Sequence, residues 1–284
     1  MTFRMQPSET RPPALHILLI CSCTLLLAAS CSPQPVTVTR EPATLRLVAA
    51  DSFAPVVDGL ATAYEETRPW VSVTTEVFNT TLAETVLKEG GADLALLSGL
   101  SQLEGDDRVW AEDLARDGVA VIAHPTSPLT ETGMIQLREI FAGRLQEWGG
   151  TVFTVVSRED GSGTRAFLET IALDGQGTTL NAVVMPSSEA MVEHVASTTS
   201  AVGYVSTLHL GTVASCQSAE VRCEQNGVRI LPVDGLLPTV ETIRSGRYAL
   251  WRQLYMASWG EPDGEARVFA QWLLRRGLTG EPGL

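Results

Sequence analysis

Lysine is almost absent from this chain: Lys88 stands alone beside nineteen arginines. All 20 basic residues are outnumbered by 33 Asp and Glu, for a formal net charge of −13. A surface of that sign argues against nucleic acid and against an anionic membrane surface as partners. It leaves a small anion open as ligand, because fixed N–H groups and one arginine act at short range, while charges beyond ~8 Å are screened. Charged residues make up only 19%, too few for a disordered chain, and 44% hydrophobic residues over 284 positions can bury a sizeable core. That length suggests about two domains. Histidine is scarce as well. His124, His194 and His209 fall in the body, none at metal-ligand spacing, so neither metal nor cofactor is called for. The apolar run at residues 14–29 is too short and wrongly flanked for a stable transmembrane helix.

That run is a targeting signal. Arg4 and Arg11 precede it and small residues close it before Cys31. Leu27-Ala28-Ala29-Ser30-Cys31 resembles a bacterial lipobox, in which cleavage before the cysteine leaves its thiol for a lipid. Ala28 stands where that pattern prefers leucine, and ordinary cleavage nearby is the alternative. Residues 32–43, with three prolines, read as an extended tether. Two cysteines remain in the body, Cys216 and Cys223, in a polar stretch. In an exported protein they are expected to close a local disulfide, with free thiols as the alternative.

The most informative stretch is Arg158-Glu159-Asp160-Gly161-Ser162-Gly163-Thr164, which follows a β-branched run and leads into a helical face of Phe167 and Ile171. A helix N-terminus carries unpaired N–H groups and partial positive charge, which suits an anion. Gly161 and Gly163 allow close backbone approach, Ser162 and Thr164 add hydroxyls, and Arg158 offers a planar fork. Asp160 would repel an anion unless the anion carries a proton for it to accept, as phosphate does and sulfate does not. The bland alternative is a turn in which Asp160 and Ser162 bond local backbone.

Arg-x-Asp-Gly-Ser-Gly-Thr resembles the signature of the phosphate-binding proteins that serve ABC-type phosphate importers, and weaker likenesses extend over residues 44–260. The resemblance implies an α/β, two-lobed, periplasmic-binding-protein-like (type II) fold, each lobe a mostly parallel sheet flanked by helices and joined by a two-crossing hinge. It implies phosphate as ligand and a permease as partner, with no catalytic role. By position it assigns Ser52 and the backbone N–H of Phe53 to the ligand, while Asp51 departs from the family's small residue and is kept as a helix cap. Thr80 is the hydroxyl candidate in Phe78-Asn79-Thr80-Thr81, where the family's glycines are missing, and Thr81 heads a capping box with Glu84. Ser98 ends the third strand, and Gly99 replaces an arginine frequent in the family.

The remaining pattern alternates strands and helices. Strands are expected at 45–50, 71–77, 92–98, 118–123 and 201–205, with Trp148 in the core. The return strand, Tyr248 to Met256, resembles the family's Tyr-Pro-Leu-x-Arg-x-Leu-Tyr. Residues 1–30 are then signal, 31–43 lipidated cysteine and tether, 44–120 with 250–284 lobe one, and 121–249 lobe two. The expected product is an exported, lipid-anchored binding protein in the periplasm or on the outer face of the cell membrane. Another tetrahedral oxyanion (sulfate, molybdate or tungstate) is the nearest alternative. A secreted hydrolase using Ser162 lacks a Gly-x-Ser-x-Gly elbow, and a surface sensor on the same fold stays open.

Overall fold

Leu45, Leu47 and Val48 belong to β1 (Ala43–Ala50) and are at most 2% exposed, which makes this strand the centre of the first lobe. The computed structural model describes residue 2 and residues 40–211 and 223–278. Cys31, Cys216 and the expected signal lie outside them. From Pro42 onward the described residues form one compact unit. After β1 come α1 (Val57–Thr67), β2 (Val71–Phe78), α2 (Thr80–Lys88) and β3 (Leu94–Leu97). β1 pairs in parallel with both β2 and β3. All four residues of β3 are buried, as expected of a strand covered on both faces.

β4 (Val109–Ala123) is longer than the sequence suggested: fifteen residues instead of a short strand from Gly118. Its first half pairs with β12 (Trp251–Trp259) and its second half with β9 (Ala201–Ser206) and β11 (Val228–Leu231). Between β4 and β9 lie α3 (Met134–Phe141), β5 (Glu147–Trp148), β6 (Thr151–Val152), β7 (Thr154–Arg158), α4 (Gly163–Ile171), β8 (Val183–Met185) and α5 (Ser188–Ser197). β10 (Glu224–Gln225), α6 (Val240–Arg244) and α7 (Gly264–Arg276), with short 3-10 turns at Asp51–Phe53 and Thr207–Leu210, complete the described elements. The sheet runs β2-β1-β3-β12-β4-β9-β7-β8, so β4 and β12 carry the chain between two lobes.

Each lobe has a core on both faces of its sheet. In the first, Val57, Leu60 and Tyr64 of α1 pack with Phe269 and Leu273 of α7 on one side, and Ala83 and Leu87 of α2 on the other. The C-terminal helix thus covers the first lobe. In the second, Leu137, Ile140 and Phe141 of α3 face one side, and Met191 and Val195 of α5 the other. Burying a leucine or phenylalanine of this kind contributes about 1.5–3 kcal/mol.

Three local expectations change. Asn79, rather than Thr81, caps α2, its side chain accepting from Leu82 N, and Thr80 is the first helical residue. Trp148 is 45% exposed on the two-stranded β5–β6 ribbon and not in the core. The return strand begins at Trp251, after Tyr248 has been buried with its hydroxyl donating to the Val119 carbonyl at 2.9 Å. Cys223 is disulfide-bonded, while its expected partner lies outside the described residues. Among the described residues no helix is long and apolar enough to cross a membrane.

Candidate functional site

The strand ends that the sequence singled out meet at the seam between the lobes. Ser52 lies in the short 3-10 turn after β1, Thr80 opens α2, Ser98 follows β3, and Gly163 and Thr164 open α4. Ser52, Thr80, Ser98, Ser162 and Thr164 are all at most 5% exposed, and Phe53 is buried beside them in sequence. From the first lobe, Ser52 Oγ meets Thr164 Oγ1 of the second at 3.3 Å. Thr80 Oγ1 bonds Ser98 Oγ at 2.9 Å and accepts from Gly163 N at 3.2 Å. Thr81 N donates to the Gly161 carbonyl at 3.1 Å, a backbone bond between lobes. The first residues of α2 and α4 therefore face one another, with the positive ends of both helices at the same seam.

Both glycines of the motif are demanded by that approach. Gly161 has φ +86°, and a Cβ on it would lie 3.0 Å from Asn79 Oδ1. A Cβ on Gly163 would lie 2.5 Å from Thr80 Oγ1 and 2.6 Å from Ser98 Oγ. Ser162 caps α4, its Oγ accepting from Arg165 N at 3.3 Å.

Arg158 and Asp160 are placed otherwise than the motif suggests. The Arg158 fork is occupied: Nε and Nη2 pair with the Glu159 carboxylate at 2.8 and 2.9 Å. Its Nη1 donates to Asp51 Oδ2 and to Ser188 Oγ, both at 2.7 Å. Burial alone would lower the Arg158 pKa, but Glu159 and Asp51 raise it above the ordinary arginine value. Asp160 turns to solvent, 96% exposed, and pairs with Arg165 Nη1 at 2.6 Å. Gly161, at φ +86°, stands between this exposed acid and the buried hydroxyls of Ser162 and Thr164.

The acid that does enter the seam is Asp51, expected only as a local cap. Its side chain makes no cap to its own turn. It crosses instead to the second lobe, where it accepts from Arg158, from Ser188 N at 3.1 Å and from Ser188 Oγ. Ser188 is the first residue of α5, so this carboxylate sits at a helix N-terminus where negative charge is favoured. His209 Nε2 donates to the Asp51 carbonyl at 2.8 Å, and burial pushes its pKa below the ordinary value despite that bond and the nearby carboxylate. Tyr204 supports the same strand end, its hydroxyl near Ser157 Oγ (2.9 Å) and Arg158 N (3.2 Å), with burial pushing its pKa up to about 12.

A second buried arginine, unmarked by the motif, closes the seam from the hinge. Arg252 of β12 stands opposite Asp117 of β4 and donates to its Oδ2 through Nε at 2.9 Å and Nη2 at 2.8 Å. Nη2 also donates to Ser52 Oγ at 2.8 Å. Alternation along β12 carried the signal: Arg252 shares its inward parity with Leu254 and Met256. No group of three or more His, Cys, Asp or Glu able to hold a metal occurs among the described residues.

The sequence profile of the PBP superfamily domain matches residues 36–276. The phosphate-binding protein PstS of Bacillus subtilis is 23% identical over 277 residues, covering 91% of this chain and 88% of that one. Among solved structures, a substrate-binding protein from Clostridium perfringens with bound phosphate superposes with TM-score 0.70 at 23% identity, over 81% of this chain and 93% of that one. An ABC-type phosphate transport receptor from Vibrio cholerae gives TM-score 0.64 at 26% identity, over 81% and 93%.

Proposed function

The chain belongs to the PBP superfamily, and from that membership and the seam we propose that it is an exported solute-binding protein, not an enzyme, which captures phosphate between its lobes for an ABC permease. The observation that carries this reading is the convergence of four buried hydroxyls, from Ser52, Thr80, Ser98 and Thr164, on the N-terminus of α4. Hydroxyls that bond one another across the seam can rotate to donate to an oxyanion held between them. The Gly163 and Thr164 amides and the Phe53 amide extend that donor set. Relatives bearing phosphate-binding names supply the ligand. In this proposal Ser162 serves as the cap that fixes α4, and Arg158 holds the lobes together through Asp51 and Ser188. Lipid attachment at Cys31 would tie the protein to the outer face of the membrane.

A thermal-shift panel of phosphate, sulfate, molybdate and tungstate tests the reading. Ligand that binds only the native state stabilises it by about 2.7 kcal/mol at a hundredfold excess over Kd. Phosphate is expected to raise the melting temperature most. No shift with any of the four would defeat the proposal. Another oxyanion is the second reading, and the outward position of Asp160 favours it, because the proton-accepting acid expected of a phosphate site is turned to solvent. A larger shift with sulfate than with phosphate would establish it. Intact mass of the exported protein, with and without Cys31→Ser, tests the anchor.

A further inference from the structure

We propose that the cation which meets the bound anion is Arg252, and that Arg158 has become a latch between the lobes. The assignment rests on the oxyanion reading above and deepens it. Three observations support it, independent of one another. First, the Arg158 guanidinium is taken up by Glu159, Asp51 and Ser188. Second, Arg252 is buried, its side chain 3% exposed, and Nη1 has no hydrogen-bond partner. Buried donors are almost always paired, and a ligand that accepts from Nη1 is one group that would complete the set. Third, the guanidinium reaches both lobes: Nη2 lies on Ser52 Oγ of the first, and Cζ 6.0 Å from the ring of Phe167 in α4 of the second.

Asp117 is what makes the arrangement hold without ligand. It accepts from Arg252 twice, and from Ser206 Oγ (3.0 Å), Thr207 N (3.2 Å) and Thr207 Oγ1 (2.7 Å). The carboxylate fixes the Nε edge of the guanidinium and leaves the Nη1 edge for a second acceptor. An oxyanion is the class of ligand that fits, since it can accept from Nη1 and from the Ser52 hydroxyl together.

Calorimetric titration of inorganic phosphate into the full mature protein tests this, with Arg158→Met run beside Arg252→Met. Arg252→Met is expected to weaken binding at least 100-fold, and Arg158→Met less than 10-fold. Arg252→Met leaves Asp117 buried without its cation, so the double variant Arg252→Met/Asp117→Asn separates charge balance from ligand contact. It should melt near the wild-type temperature and still bind at least 100-fold more weakly. Recovery of affinity in the double variant, or wild-type affinity in Arg252→Met, would overturn the assignment. Wild-type protein that takes up neither phosphate, sulfate nor molybdate would overturn the functional reading and this one with it, an outcome distinct from tight binding by the variants.

Discussion

Replacing Asp51 with Asn removes one charge from the seam while keeping the side-chain shape. Arg158 loses a partner 2.7 Å away, and Ser188 N and Oγ lose a charged acceptor. The side chains are 2% exposed for Arg158 and 15% for Asp51, so solvent screening is weak. A hydrogen bond to a charged group contributes roughly 1.5–3 kcal/mol. Arg158 keeps Glu159, and Asn keeps one acceptor oxygen. We therefore expect the lower part of that range, about 2 kcal/mol. For a body of this size, a loss of that order lowers the melting temperature by about 4–8 °C. Differential scanning calorimetry measures it, and spin labels on the two lobes show whether the ligand-free distance distribution lengthens. A melting temperature within about 1 °C of wild type, with unchanged distances, would refute the account of Asp51 as a bond between lobes.

Gly163→Ala should weaken phosphate binding at least 10-fold in calorimetric titration, because its Cβ would press on Thr80 Oγ1 and Ser98 Oγ at 2.5 and 2.6 Å. Asp160→Asn should leave the ratio of phosphate to sulfate affinity unchanged, since the carboxylate is in solvent and an exposed pair contributes about 0–1 kcal/mol; a narrowed ratio would return Asp160 to the site. His209 has a folded pKa below its unfolded value near 6.5. As pH falls below ~6.5 the unfolded chain takes up a proton that the folded one refuses, so stability present above that pH is lost. Melting curves from pH 7.5 to 5.5 should show that loss, and His209→Gln should remove it while keeping a donor to the Asp51 carbonyl.

What could be read along the chain was local. Ser52, Thr80 and Thr164 sit where a strand gives way to a helix and Ser98 where a buried strand ends, and a hydroxyl at such a place is marked by its neighbours. Both glycines were legible for the same reason. Asp160 was expected toward the ligand and instead pairs in solvent with Arg165, because a surface cation of the next helix is as good a partner for it as a protonated anion. Asp51, Ser188 and Arg252 act across distances of 137 residues for the Asp51–Ser188 bond and 200 for the Arg252–Ser52 bond. Their partners exist only once the lobes have met. Arg252 was nearly visible: a charge at an inward position of an apolar strand must have a buried partner. Trp148 failed the other way, an apolar residue on a two-residue strand too short to be covered.

β4 carries a consequence for dissection of the molecule. It enters one hydrogen-bonded ladder at Val109 and leaves another at Ala123 without an intervening linker. Cutting there strips a strand from one half or the other and bares a row of amides that would recruit foreign strands. Neither half can be excised as a free-standing module, and fragments expressed apart should precipitate until mixed.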